Sequence, residues 1–257
     1  MKAHPTAVIH PKAQLACSVT VGPYTVIEED VALGEDCEVM SHVVLKGPAK
    51  FGKGNRIFPY SSIGQDPQDV KYNGERTCLE IGDGNIFREF VTIHRSTSTE
   101  GATRIGNHNL LMAYVHIAHD CQLGDHIIMS NGASLAGHVE IGNHAIVGAF
   151  CGIHQFCRIG AYSFLGSYTV VNKDILPYSK TSAERPMGVY GANRLGLERV
   201  GLSKEDIDEL QAAFRILCRS KLNTTQAVEK LETEGIESPH VRALVDFVKT
   251  SVRGVVK

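Results

Sequence analysis

The chain has 257 residues, 43% of them apolar, which is enough for a sizeable core and one or two domains. A net charge of −2 and a pI of about 6.6 give no electrostatic reason to bind nucleic acid or an anionic membrane. Seven cysteines without an apolar leader argue against a disulfide framework, and no apolar run approaches the roughly 18 residues that span a bilayer, so a cytoplasmic protein with no transmembrane segment is expected.

From Ile9 onward a large apolar residue returns at every sixth position: Leu15, Val21, Ile27, Leu33, Val39, Leu45, Phe51, Ile57 and Ile63. The series resumes at Ile81, Phe87 and Ile93, then runs without a break from Ile105 to Val171, 25 positions in all. A period of six suits neither an amphipathic helix nor a lone alternating strand. It suits a mainly β fold, a left-handed parallel β-helix of hexapeptide repeats, in which three short strands and three tight turns complete a coil every 18 residues. Coils about 4.8 Å apart would make a prism roughly 40 Å long. Glycine follows the apolar residue at 22, 34, 52, 64, 82, 106, 124, 142, 148, 160 and 166, and turns with positive φ are the expected reason.

Two insertions interrupt the rhythm, at 65–78 (QDPQDVKYNGERTC) and 95–103 (RSTSTEGAT), and insertions in a solenoid leave as loops. Beyond Val171 an irregular connector with Pro and Gly punctuation is expected. The β-helix with its connector then occupies 1–188 and a helical domain 189–257. In that tail Ser203 and Asp206 form a capping box ahead of a helix burying Ile207, Leu210, Phe214 and Leu217. Ser238-Pro239 opens a second helix with Val241, Leu244, Val245, Val248 and Val252 on its apolar face.

Histidines and one carboxylate crowd into YVHIAHDCQLGDH, residues 114–126. Counted from the apolar residues Ile117, Leu135 and Ile153, which stack 18 apart, His119, His138 and His154 are expected on one corner of the prism. His116 sits just before that corner and Asp120 on it. His154 fills a position usually held by Gly and is expected to carry a backbone cost. The cluster suits acid–base catalysis, and three imidazoles would also suit zinc, as in a hydratase of the γ-carbonic anhydrase kind. A second column, His108, His126 and His144, reads as exposed turn residues. Cys37, Cys121, Cys151 and Cys157 each lie two residues before a stacking position, which predicts inward packing rather than a thiol nucleophile.

Several stretches, among them SHVVLKGPAKFGKGNRIFPYSSIG, QDVKYNGE, VTIHR, NLLMAYVHIAHDC, LAGHVEIG, IHQFCRIGAYS and SVRG, resemble the UDP-N-acetylglucosamine O-acyltransferases, over nearly the whole chain. The resemblance implies a homotrimer with active sites between neighbouring subunits. It implies transfer of a (3R)-3-hydroxyacyl group from acyl carrier protein to the 3-hydroxyl of UDP-N-acetylglucosamine, the first step of lipid A synthesis. No cofactor or metal is implied beyond the 4′-phosphopantetheine carried by the donor.

Matched to the family motifs, His119 is the general base, Asp120 orients it, and the Gly137 N–H is the oxyanion donor. His94, His116, His138, His154 and Gln155 resemble contacts to sugar or donor. Asp69 and Lys71 come from the first insertion, with Lys71 suited to a diphosphate. Asn193 and Arg199 resemble residues meeting the nucleotide and the phosphopantetheine. Ser167 matches the position that limits acyl length, and its size implies a medium-to-long chain. Leu195, Val200 and Ser96 (HRST for HRGT) depart from the family pattern and bear on the preferred sugar nucleotide. A 3-amino sugar acceptor and an acetyl-CoA-dependent hexapeptide transferase are the neighbouring alternatives.

Overall fold

Strands of two to four residues recur along the chain and stack into three parallel sheets, which form the walls of a prism. The computed structural model describes residues 1–182, 187–233 and 238–257. Among the described residues the first wall has 11 strands, the last of them antiparallel, the second nine and the third eight. Register is strict: Ile117 pairs with Leu135 and Leu135 with Ile153 on the second wall, each one coil of 18 residues apart. The fold is the expected left-handed β-helix.

The six-residue apolar series is the core. From Val21 to Val171 every member is at most 5% exposed, whereas Ile9 and Leu15, in the terminal coil with no neighbour below, are only partly covered. Two residues before the stacking positions a second side chain also points inward, as expected for Cys37, Cys121, Cys151 and Cys157. Burial pushes the Cys121 thiol up to about 12, so it stays protonated. Where Asn fills this inner position the amides form a ladder. The Asn85 side chain donates to Asn55 Oδ1 at 3.0 Å, and Asn85 Oδ1 accepts from the Asn109 N–H at 2.9 Å. Each buried amide is thereby satisfied, at little cost.

The turns correct one expectation. Of the glycines that follow the apolar positions only Gly64 has positive φ, at 86°. The others are small because coils approach closely: a Cβ on Gly124 would stand 2.0 Å from Asn143 Oδ1. Left-handed backbone falls instead at a different position of the hexad, held by bulky residues such as Tyr114 (φ 62°), Asp120 (φ 61°), His126 (φ 57°), His138 (φ 59°) and Phe156 (φ 65°). The rings among them project outward and stack. On the edge between third and first walls His108, His126 and His144 form the expected turn column, with ring centroids 5.2 and 4.8 Å apart, continued by Tyr162 and Tyr178. Ring stacking of this kind offsets part of the cost of the left-handed turn.

The connector is more regular than its sequence suggests. Ser179–Thr181 extends the first wall, and Val189–Ala192 returns antiparallel beside it. The segment 183–186 of the connector lies outside the described residues. Among the described residues four helices follow: α1 (Arg194–Arg199), α2 (Lys204–Phe214, continued by a π-helical turn Arg215–Arg219), α3 (Thr224–Thr233) and α4 (Pro239–Lys249). The Ser203 hydroxyl caps α2 as expected, accepting from the Asp206 N–H at 3.0 Å. Val252 does not join the apolar face of α4: the helix ends at Lys249 and Val252 is 98% exposed. The tail docks on the last coil, where Arg158 stacks on Phe247 and Asp174 accepts from Ser251.

Candidate active site

The edge between the second and third walls carries the cluster. Three consecutive turns place Ala118, His119 and Asp120 in one coil, Ala136, Gly137 and His138 in the next, and His154, Gln155 and Phe156 above them. His119 therefore lies below Gly137 and Gln155, and Asp120 below His138 and Phe156. The expected column of His119, His138 and His154 does not form. His138 meets His119 edge-on at 5.3 Å but stacks on Phe156 at 4.7 Å. His154 is one residue out of register with His119, so it stands above Ala136 on the second-wall side. It also adopts no positive φ, so the expected backbone cost is absent.

His119 is 6% exposed, and its Nδ1 is 2.8 Å from Asp120 Oδ2. A carboxylate can only accept, so Nδ1 carries the proton and Nε2 is left as a lone-pair base. Nε2 faces the space left by Gly137, where a Cβ would stand 2.7 Å from it. Among the described residues no backbone carbonyl accepts from the Gly137 N–H, although Ala136 donates to Ile153 and His138 to His119. A free donor thus lies beside a free base.

Asp120 is held from several directions. Ser96 Oγ donates to Oδ1 at 2.5 Å, Thr97 Oγ1 to Oδ2 at 2.7 Å, and the Thr97 N–H to the same carboxylate at 3.1 Å. His138 Nε2 lies 3.4 Å from Oδ2. Burial alone would raise this carboxyl, but donation from Ser96, His119 and Thr97 outweighs it and the group stays below the usual carboxylate range. In the same coil His116 meets His94, from the coil below, edge-on at 5.2 Å, and Thr92 Oγ1 bonds His116 Nδ1 at 2.8 Å. Burial, reinforced by neighbouring imidazoles, pushes His94 down to about 4 and His116 down as well, so both are neutral near pH 7.

A cleft of about 580 Å³ opens over these groups on the second wall, lined by Gln68, His116, His119, Gly137, His154 and Gln155 among others. The structure thus brings together His116, His119, Gly137, His154 and Gln155, with Asp120 behind His119. Gln68 joins from the 65–78 insertion; in the sequence it is marked only as the neighbour of Asp69 in QDVKY. Asp69 Oδ1 accepts from the Lys71 N–H at 2.8 Å within that exposed loop. Sequence reasoning misses Ser96 and Thr97 as partners of Asp120, because a gap of 24 residues hides the contact from Ser96 and only the coil register creates it.

Three expected residues stand apart within one chain. Asn193 precedes α1 and its amide donates to Tyr162 O at 3.2 Å, on the edge between third and first walls. Arg199, Leu195 and Val200 are exposed beside it. Ser167 lies on the edge between first and second walls, where its hydroxyl accepts from the Ala149 N–H at 3.1 Å. An acyl chain climbing the edge above His119 would not meet Ser167 of the same chain.

Ligand atoms of His119, Asp120 and His138 fall within 4.8 Å of one another, a spacing a divalent ion could use. The hydrogen bonds favour a different reading. Both Asp120 oxygens already accept from Ser96 and Thr97, and a third imidazole does not join, so the three-histidine zinc arrangement is not built.

Comparison with known proteins gives the chain its family. A family profile described as UDP-N-acetylglucosamine O-acyltransferase, domain 2, matches residues 174–256, and one for bacterial transferase hexapeptides (six repeats) matches 102–137 and 138–173. The acyl-[acyl-carrier-protein]–UDP-N-acetylglucosamine O-acyltransferase of Saccharophagus degradans is 48% identical over 255 residues, 99% of this chain and 98% of that one. That of Thermodesulfovibrio yellowstonii is 44% identical over 98% of both chains. The crystal structure of the UDP-N-acetylglucosamine O-acyltransferase from Moraxella catarrhalis superposes with a TM-score of 0.95 at 42% identity, over 100% of both chains. The acyltransferase from Bacteroides fragilis gives 0.96 at 40% identity, over 99% of both. The chain belongs to the acyl-[acyl-carrier-protein]–UDP-N-acetylglucosamine O-acyltransferase family.

Proposed function

We propose that the protein transfers a (3R)-3-hydroxyacyl group from the phosphopantetheine thiol of acyl carrier protein to the 3-hydroxyl of UDP-N-acetylglucosamine, initiating lipid A synthesis. The observation that carries this reading is the His119–Asp120 pair at 2.8 Å with His119 Nε2 facing an open cleft beside Gly137. A sugar hydroxyl is a poor nucleophile until a neutral imidazole takes its proton. Nε2 removes that proton as the oxygen attacks the thioester carbonyl, and Asp120 steadies the imidazolium that forms. The Gly137 N–H donates to the tetrahedral oxyanion, a contribution of roughly 3 kcal/mol for one such donor. The intermediate then expels the thiolate, which recovers the proton from His119. The products are the sugar ester and the free carrier thiol, and every step is carried by these side chains and the Gly137 N–H.

His116, His154 and Gln155, with Gln68, are the cleft groups available to hold the acceptor and donor, and His138 supports Asp120 from above. His94, neutral and buried under His116, steadies that ring rather than contacting substrate. Asp69 and Lys71 would bring a carboxylate and a point positive charge to the sugar nucleotide from the 65–78 loop. Asn193, Arg199 and Ser167 would act on a site completed by a neighbouring copy, which suits a homotrimer with active sites between subunits. The two substrates are those of a cytoplasmic enzyme, and among the described residues no helix is long and apolar enough to cross a membrane. The test is an acyl-transfer assay with UDP-N-acetylglucosamine and a series of 3-hydroxyacyl carrier proteins, with and without EDTA. Ester formation unaffected by EDTA is expected. No transfer to any acceptor, or activity lost to EDTA and restored by zinc, would overturn the reading.

A further inference from the structure

We infer that Ser96 is a positioning residue for the His119–Asp120 pair: its buried hydroxyl donates to Asp120 Oδ1 and fixes the carboxylate that holds His119. Ser96 lies in the 95–103 insertion, has no solvent exposure, and reaches Asp120 across 24 residues of sequence at 2.5 Å. The Oγ carries one proton and has two acceptors within reach, Asp120 Oδ1 and Ser98 O at 3.1 Å. The nearer, charged acceptor takes it. The Ser98 N–H, 3.0 Å away, then donates to the same Oγ. A directional chain results, from the Ser98 N–H through the Ser96 hydroxyl to Asp120 Oδ1, with Oδ2 on the far side accepting from His119 Nδ1.

Asp120 needs such a brace. It sits in a left-handed turn, φ 61°, tied at the backbone where its N–H donates to Thr103 Oγ1 at 2.8 Å. Without Ser96 the Oδ1 side would keep only the longer Thr97 N–H at 3.1 Å. Two consequences follow. The carboxylate gains freedom to turn away from Nδ1, which lowers turnover. In the molecules where the bond to Nδ1 persists, which are the active ones, its charge is shared among fewer donors and holds the imidazolium form of His119 more strongly. The other titratable groups facing this layer are His138, 3.4 Å from Asp120, the neutral His116 in the same coil, and the neutral His94 in the coil below. None of them changes with Ser96.

The inference rests on the reading of His119 as the base, and the test separates the two. Ser96→Ala removes only the hydroxyl, and Thr97→Val removes the second hydroxyl donor while keeping its N–H. Steady-state kinetics of both variants with UDP-N-acetylglucosamine and a 3-hydroxyacyl carrier protein should show kcat about 10-fold lower, with either KM changed by less than about twofold. The acid limb of the kcat/KM profile should move to higher pH, because the base stays protonated further up the scale. Combined with Asp120→Asn, Ser96→Ala should cost little more, since residues that act as a unit are not additive. An acid limb unmoved in both single variants, or an undiminished loss from Ser96→Ala when Asp120→Asn is already in place, would overturn the role of Ser96. Full activity of His119→Ala would instead overturn the base itself.

Discussion

Gly137 stands directly over the imidazole of His119, so close that a Cβ at this position would lie 2.5 Å from Cε1 and 2.7 Å from Nε2. The absence of a side chain one coil above is what leaves the basic nitrogen open to the cleft. Gly137→Ala should therefore push the ring from its Asp120 bond without disturbing the fold, since the backbone here has no positive φ. Turnover is expected to fall by about 10²-fold, the scale of a lost catalytic contact, with thermal stability nearly unchanged. Activity close to that of the wild type would show that the space above the ring is not used.

His119→Ala should remove the base and lower turnover by roughly 10²–10⁴-fold. His119 lies on the edge, outside the stacked apolar series, so circular dichroism and oligomeric state should match the wild type. Activity within about threefold of wild type would take His119 out of the mechanism.

Ile117 and His116 are neighbours on one strand with opposite duties. Ile117 is fully buried between Ile93 and Leu135, whereas the His116 side chain faces the cleft. Ile117→Asp puts a carboxylate among stacked aliphatics and should cost several kcal/mol. His116→Ala should cost far less stability but impair substrate binding. Equal melting temperatures for the two variants would contradict the register.

Acid should weaken the fold through His94. Its folded-state value is about 4, below the 6.5 of the unfolded chain. Between these values the unfolded chain binds the extra proton, so this contribution is full above pH 6.5 and is lost as pH falls towards 4. The loss is on the order of 3 kcal/mol. His116 is shifted in the same direction. Urea denaturation across this range should show a shallower pH slope for His94→Leu than for the wild type; identical slopes would mean that His94 is not held neutral.

Acyl length should respond to Ser167. Replacing it with Met fills space on the edge between first and second walls, and each methylene left unburied forgoes ~0.8 kcal/mol. The ranking of kcat/KM over donor lengths should move towards shorter chains in Ser167→Met, and an unchanged ranking would place the acyl terminus elsewhere.

Much of the architecture is legible because a β-helix repeats a local rule. Ile117, Leu135 and Ile153 recur at one spacing, and burying that series requires coils in register, which carries Cys121 and Cys151 inward with it. Two helices escape this reasoning: α1 has only Leu197 buried, and α3 lacks a strong apolar signal although Asn223 and Gln226 cap each other reciprocally at its start.

The sequence by itself determined the six-residue period, the edge that gathers the chemistry and the pairing of His119 with its neighbour Asp120, since all three depend on residues close in the chain or a fixed number of coils apart. Tertiary structure alone decided which way each turn residue points. Glycine serves both a left-handed turn and a close approach, and sequence does not tell the two apart, so it points to Gly124 and its counterparts for the left-handed positions that Asp120 and His138 in fact hold. A shift of one residue at a corner separates His154 from His119, and a shift of two separates it from His138, because consecutive side chains there leave on different walls. The donors on Asp120 come from the start of an inserted loop, and the sequence does not show that Ser96 keeps the register of Ile93 with Ile117. Only the packed coils bring its hydroxyl to the carboxylate.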